Sequence, residues 1–519
     1  MSHPRPVLSK LFIGITFTGL LTACGGGGGG SSNVKPSSTP VTASSQAVVA
    51  SSIAASSLAA SSVVAAPSSA AASSAANNGV ASSAANSGAA TISSLIVVDQ
   101  FGYLPDAQKI AILRDPQTGY DADKSFTPSA NLTLVDVTTG ATVLTGPSTR
   151  WNSGTTHTTS GDKVWWFDFS SVTTPGTYAV VDSANNLRSP SFTIGKDIYK
   201  PVLRHAFRTF FYQRAGFAKN EPFAEAGWID SASHLKAEQD QESRLYDVNN
   251  KAVGQAGTEK DLQGGWFDAG DFNKYTNWHA DYLINLLHAY LENPAAWGDD
   301  FGIPESQNGV PDIIDEIKWG FDWLKRMQNT DGSVLSIQGL SHASPPSAAT
   351  GRSFYGPAST SASLSAAAAF ALGAKVLGDL GVADYNTYAA DLKIRAENAW
   401  TWAGANPAVI VNNNEGIYTG LGAGNQEVND AGRAAKKTRA AIYLFAATGG
   451  ATYQTQVTAN YGDKANWVDI WKENELMSWL YYANLSGADA TLASKIKNQY
   501  ATAMNGSTNL GAITTTSNT

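Results

Sequence analysis

The spacing of apolar residues in this chain changes once, near Lys196, and that change sets what the chain can fold into. Before it, short runs of β-branched and aromatic residues recur: Leu95–Asp99, Lys109–Leu113, Asn131–Val137, Ala141–Leu144, Lys163–Phe169, Thr177–Val181 and Ser191–Ile194. Turn-forming pairs such as Thr139-Gly140 and Pro175-Gly176 fall between the runs. Residues 94–195 therefore read as an antiparallel β-sandwich. Alternation along the fifth run places Trp165, Phe167 and Phe169 on one face, which is expected to be the core face. After Lys196 the apolar residues recur at three- and four-residue intervals, predicting helices over Tyr199–Phe217, Asn277–Leu291, Pro311–Met327, Ser361–Leu377, Tyr385–Trp402, Asn429–Ala447, Trp467–Asn484 and Ala490–Met504. The loops joining them are long and rich in Gly and Asn. A mainly α region with long loops on one side suggests a ring of helices around a cleft.

Composition narrows the function. A net charge of −8 argues against nucleic acid, whose phosphates need clustered Lys and Arg. A single cysteine excludes a disulfide framework and any zinc site built from several cysteines. Only 15% of residues are charged, and this deficit is concentrated in the first 93 residues, whereas all 14 Trp lie from Trp151 onward.

The N-terminus reads as an export signal. Arg5 and Lys10 precede an apolar stretch from Leu11 to Leu21, too short for a stable membrane span. Leu21-Thr22-Ala23-Cys24 closes the signal segment 1–24 and resembles the bacterial lipobox, which makes Cys24 the expected lipid attachment site and the first residue left after cleavage before it. With Gly25 following, the resemblance favours the outer membrane or cell surface. Residues 25–93 are Gly, Ser and Ala with almost no charge, and bury too little to offset their ordering entropy. They are expected to form a tether holding the folded part at the membrane.

The stretch richest in chemistry is Gly264-Gly265-Trp266-Phe267-Asp268-Ala269-Gly270-Asp271-Phe272-Asn273-Lys274-Tyr275. Two carboxylates stand three residues apart with Gly270 between them, a residue able to supply a tight bend. Paired carboxylates suit holding and deprotonating a water, and the flanking aromatics suit stacking on sugar rings. The same stretch also reads as an Asp-rich loop leading into the helix near Asn277.

These residues resemble the signature of glycoside hydrolase family 9, the cellulase family. The resemblance continues through Asn308-Gly309-Val310-Pro311-Asp312-Ile313-Ile314-Asp315-Glu316 and on to Trp323–Gln328. Upstream, Phe210–Gly216 is similar to the first helix of that family's barrel, and Val98–Pro105 to the opening strand of the immunoglobulin-like domain that precedes many such barrels. The resemblance implies an (α/α)6 barrel over residues 196–519 behind an immunoglobulin-like sandwich, and an inverting endo-β-1,4-glucanase. By motif position Asp271 corresponds to the general base and Asp268 to its partner in holding the water. Trp266, Tyr275 and Tyr355 are candidate substrate contacts. No cofactor is expected and no metal-ligand spacing stands out, although some relatives bind calcium; the polymeric partner is a β-1,4-glucan, and the protein is expected to act as a monomer.

The sequence also departs from the family. The general acid is expected as a Glu in a segment resembling Asn-Glu-Val-Ala-Ile, after a Gly-Ser-Asn segment and a His- and Arg-bearing loop; none of these occurs, and the last histidine is His342. Asn474-Glu475 falls inside a helical pattern and is expected on a solvated face. The predicted helices are fewer than the twelve of an (α/α)6 barrel, so the barrel is expected to be incomplete and the chain a piece of a longer protein. The loop from His342 to Thr360 is rich in Ser where many relatives carry acids. Asp312, Asp315 and Glu316 are expected to favour the positive end of their helix dipole. Arg433, Lys436, Lys437 and Arg439 are expected to be solvated, and His279 and His288 packed or solvated rather than metal-bound. Two other readings stay open: a glucan-binding surface lipoprotein without catalysis, and a xyloglucan- or glucosaminide-directed hydrolase on the same fold.

Overall fold

The computed structural model describes residues 90–339, 341–466, 468, 473–506 and 509–510. The lipobox with Cys24 and nearly all of the Ser/Ala tract lie outside the described residues. The tract expected to extend through residue 93 ends sooner: Thr91–Ile92 form a strand, paired in parallel with Leu187–Arg188.

All seven predicted β runs contain strands, and two sheets face each other. One contains Asn131–Asp136, Thr142–Pro147, Gly176–Asp182 and Phe192–Ile194; the other contains Ile96–Val97, Ile110–Pro116, Thr149–Arg150 and Asp162–Asp168. Alternation decides what lies between them. Leu132 and Leu134, Tyr178 and Val180, Ala111 and Leu113, and Trp165 and Phe167 are all buried in one cluster, with Phe169 beside them. Arg114 ties the turn after its own strand to the neighbouring strand, bonding Asp121 at 2.8 Å and Asp162 at 2.9 Å.

The helices are α1 (Lys200–Gln213), α2 (Thr276–Glu292), α3 (Asp312–Arg326), α4 (Thr360–Gly378), α5 (Ala383–Ala405), α6 (Asp430–Thr448), α7 (Ala451–Ala459), α8 (Glu473–Ala483) and α9 (Ala490–Met504). Periodicity predicted every one except α7. That helix is short, buries only Val457 and has no apolar stripe to detect. The predicted start of α8, with Trp467, Ile470 and Trp471, falls outside the described residues. Side-chain oxygens cap three N-termini: Ser359 before α4, Asn429 before α6 and Asp489 before α9. Gly449, at a φ of 70°, ends α6 in the left-handed conformation.

Inner and outer helices alternate along the chain, the arrangement expected of an (α/α)6 barrel. Helix α4 packs against α2, α5 and α6; α6 packs against α7 and α8; α8 packs against α9. Helix α4 is long and apolar enough to cross a bilayer by length and composition, but it is buried among its neighbours. Its run of Ala with Gly373 lets them approach: a Cβ at Gly373 would stand 2.4 Å from the Phe321 ring.

Expectations about charge fail here for the basic cluster of α6 and for Glu316. The basic cluster of α6 is not solvated, because α6 is an inner helix. Arg433 and Arg439 are buried, Arg439 bonds Asp281 of α2, and Lys436 donates to Ser365 of α4 at 2.8 Å. Burial pushes the Lys436 ammonium down to about 8. Asp312 and Asp315 do fall in the first turn of α3, as expected. Asp312 accepts from the Phe301 amide and the Ser306 hydroxyl, and Asp315 from Asn308 and Tyr385; burial pushes both carboxyls up to about 6. Glu316 points into the core and forms a buried ion pair with Arg214.

Candidate active site

The site is built where the loops entering α2, α4 and α6 meet. Residues at the end of α1 pair with the signature stretch: the Ala215 amide donates to Gly265 and the Phe267 amide to Gln213. The stretch then folds tightly on itself. The Phe272 amide donates to Ala269 at 3.1 Å and the Asp268 amide to Asn273 at 3.0 Å, which brings the two aspartates together. Gly270 is not the residue that needs special backbone freedom. The left-handed conformation falls on Phe272, at a φ of 56°, a costly position for a bulky residue. Lys274–Tyr275 then pair with Ile337–Gly339, which pair in turn with Phe354–Tyr355, and α2 begins at Thr276.

Charged anchors grip the stretch from both sides. Before it, Arg214 is enclosed by aromatic rings and bonds Glu316 at 2.8 Å and Glu305 at 2.9 Å. Glu316 also accepts the Trp266 indole N–H at 2.7 Å. At its far end, the Lys274 ammonium donates to Asp240 at 2.8 Å and to the Gly264 carbonyl at 2.8 Å. Burial lowers the pKa of Lys274, and Asp240 works against that shift.

The two carboxylates have different surroundings. Asp271 accepts from the Asn273 amide at 3.1 Å, the Asn273 side chain at 3.0 Å and the Tyr275 hydroxyl at 2.6 Å. Asp268 is half-buried and accepts a hydrogen bond from Tyr282 of α2. Burial pushes the Asp268 carboxyl up to about 6; the Tyr282 bond lowers it and the charge of Asp271 raises it further. One carboxylate is thus fixed through both oxygens, while its neighbour sits where a proton is easily kept.

The three aromatic candidates for substrate contact are corrected by their burial. Trp266 is 2% exposed, with its ring stacked 4.6 Å from His279 and edged by Phe210, so neither face is open to a sugar. Tyr275 is 1% exposed, and its hydroxyl serves Asp271. Tyr355 is 4% exposed and donates to the Thr258 carbonyl at 2.7 Å. Half-buried Trp278, packed on Tyr275 with ring centres 4.4 Å apart, and half-buried Phe272 are the rings beside Asp271 that keep some exposure. His279 is packed between Trp266 and Trp323, and burial pushes its imidazole down to about 3. His288 is buried against the Tyr443 hydroxyl.

Glu475 is not on a freely solvated face. It pairs with Lys464 at 3.4 Å and, with Arg439 and Trp479, lines a cavity of about 250 Å³ between α6 and α8. Among the described residues no group of three or more His, Cys, Asp or Glu side chains is placed to hold a metal ion.

Asn273, Tyr282, Arg214 and Glu316 were not singled out as site residues by sequence reasoning. Asn273 lies inside the signature, and its neighbours were the only signal available. Tyr282 is 14 residues from Asp268 and Glu316 is 50 residues from Trp266, so only the fold brings them in.

Comparison with known proteins agrees with this geometry. Residues 199–518 match the model of glycosyl hydrolase family 9, and residues 92–185 match that of the cellulase N-terminal ig-like domain. A cellulose 1,4-beta-cellobiosidase of Acetivibrio thermocellus is 30% identical over 342 residues, covering 60% of this chain and 36% of that protein. A xyloglucan-specific endo-beta-1,4-glucanase of Bacteroides ovatus is 28% identical, covering 62% of this chain and 51% of that protein. The chain thus spans between about a third and a half of the length of these relatives. Among solved structures, a metagenome-derived family 9 endoglucanase superposes with a TM-score of 0.64 at 29% identity, covering 78% of this chain and 71% of that one. Because the family 9 model matches residues 199–518, more than half of the chain, the chain belongs to glycosyl hydrolase family 9.

Proposed function

We propose that the chain carries the water-activating side of an inverting endo-β-1,4-glucanase, with Asp271 as general base. The observation that supports this is the three-donor hold on Asp271 beside the partly buried Asp268. A base must present one oxygen in a fixed direction, and hydrogen bonds to both oxygens do that. Asp271 takes a proton from a water held between the two carboxylates. The water oxygen attacks the anomeric carbon as the bond to the leaving oxygen breaks. In an inverting reaction the leaving oxygen is protonated from the opposite side, about 6.5–9.5 Å from the base, so a second aspartate on the same tight loop is the wrong donor for it. Asp268 instead orients the water. Trp278 is the ring best placed to touch a sugar next to Asp271.

The test is release of reducing ends from carboxymethyl cellulose, with and without Asp271→Asn. The substitution is expected to lower the rate by about 10²–10⁴, the usual size of general acid–base catalysis, with unchanged tryptophan fluorescence. An Asp271→Asn protein as fast as the original would remove Asp271 from the role of base. Binding to the polymer in affinity electrophoresis without release would favour the reading as a glucan-binding surface protein. The Bacteroides ovatus relative motivates running xyloglucan in parallel; faster release from it would move the substrate to a branched glucan.

We further propose that Cys24 is lipidated and holds the protein at the outer membrane or cell surface. The support is the lipobox-like Leu21-Thr22-Ala23-Cys24 followed by an uncharged tether. Cys24→Ala is expected to abolish incorporation of labelled palmitate and to move the protein out of the membrane fraction; unchanged fractionation would refute the anchor.

A further inference from the structure

The Tyr275 hydroxyl makes more bonds than holding a ring in a core requires. It donates to Asp271 at 2.6 Å and accepts from the Asn273 side chain at 3.2 Å. It also accepts two backbone amides from a distant part of the chain, Ala423 at 2.9 Å and Gly424 at 2.8 Å. Those amides belong to the loop between α5 and α6. The loop is braced elsewhere by Tyr246, which donates to the Thr419 carbonyl, and by Gln426, which accepts from the Asn277 amide and donates to the Ser336 carbonyl. It is held close to the site ring by ring: a Cβ at Gly422 would stand 3.2 Å from the Tyr275 ring, and one at Gly424 would stand 2.6 Å from the Trp278 ring. The buried Tyr275 oxygen is therefore the point at which this loop and the aspartate loop share one hydrogen-bond network.

We infer that Tyr275 is a positioning residue that couples the Leu421–Gly424 segment to the orientation of Asp271. The inference rests on the reading of Asp271 as the base. Its physical content is that the two amides orient the hydroxyl oxygen, and so aim its proton at one carboxylate oxygen. If the loop shifts, the hydroxyl loses its acceptor contacts and Asp271 loses a fixed donor. A glucan resting against the loop would then act on Asp271 through Tyr275, although this tyrosine touches no sugar. Burial, with the Asp271 bond second, pushes its phenol up to about 12, so the hydroxyl keeps its proton at neutral pH and works as a donor throughout.

The test uses Tyr275→Phe, which keeps the buried ring and removes only the oxygen. Amide exchange followed by mass spectrometry should show the peptide spanning Leu421–Gly424 exchanging about tenfold faster, as expected when a buried donor loses its partner, while peptides of α4 stay unchanged. Asp271→Ala in the original background should speed the same peptide, and in the Tyr275→Phe background should add nothing, because the link is already cut. On carboxymethyl cellulose, Tyr275→Phe should lower kcat by about tenfold with KM within twofold, since it loosens a base rather than a sugar contact. Unchanged exchange at Leu421–Gly424, or additive effects of the two substitutions, would overturn the coupling. An effect on KM alone would make Tyr275 a substrate-binding residue. The exchange experiments do not need turnover. If Asp271→Asn leaves the rate intact while exchange behaves as described, the coupling stands and the assignment of the base falls.

Discussion

The sandwich and the barrel use charge differently. In the sandwich, Arg114 ties a turn to a strand at the edge of an apolar core and retains contact with solvent. In the barrel, Arg214 with Glu316 and Lys274 with Asp240 are taken out of water entirely and placed on either side of a single loop. A buried ion pair is a poor source of stability, because desolvating two charges cancels most of their attraction. Its value is directional: it fixes the groups that end in Trp266 and Gly264, and so fixes the ends of the turn holding Asp268 and Asp271. The sandwich spends its polar groups on closing a shell, and the barrel spends its own on aiming a site.

Substitutions can break that comparison. The largest effect is expected for Glu316→Ala, which leaves Arg214 buried with only Glu305 and frees the Trp266 indole. It should cost about 3–5 kcal/mol in chemical denaturation followed by tryptophan fluorescence, as for other broken buried pairs. A loss below about 1 kcal/mol would put this pair on the same footing as a surface bridge.

Asp268→Asn should act in the opposite direction and depend on pH. The Asp268 carboxyl is raised to about 6 in the fold, above the ordinary value near 4, so the folded protein holds its proton more tightly than the unfolded chain. That contribution is present at low pH and is lost as pH rises through about 6; above it, the buried charge is a net cost. The variant should therefore match the original near pH 4 and exceed it at pH 8 by about 2 kcal/mol, read from thermal or urea unfolding at both values. Equal stability at both would show that Tyr282 and nearby solvent fully compensate the charge. The smallest effect is expected in the sandwich. Asp121→Ala leaves Arg114 with Asp162 and should cost about 1 kcal/mol, measured as the shift in urea midpoint.

Much of this protein was legible from its residues. The strand runs and all but one helix follow from apolar spacing, because alternation or a three-to-four repeat is a local property. The aspartate loop stood out by composition. What was not legible shares one cause: its partners are far apart in sequence. Glu316 looked like a residue of a helix first turn until Arg214 and Trp266 were found against it. Lys436 and Arg439 of α6 read as part of a solvated face, but α4 and α2 supply their partners. Trp266, Tyr275 and Tyr355 were expected to meet sugar because aromatic residues beside carboxylates often do, and burial alone decided otherwise.

The sequence by itself therefore determined the two kinds of layer, the order of their elements and the pair of carboxylates on a tight turn. These depend on side-chain period and on a few adjacent residues. Only the tertiary structure decided which carboxylate is fixed and which can keep its proton. That difference comes from Tyr275 with Asn273 on one side and Tyr282 with burial on the other, and burial is a property of the packed molecule rather than of any stretch of its chain.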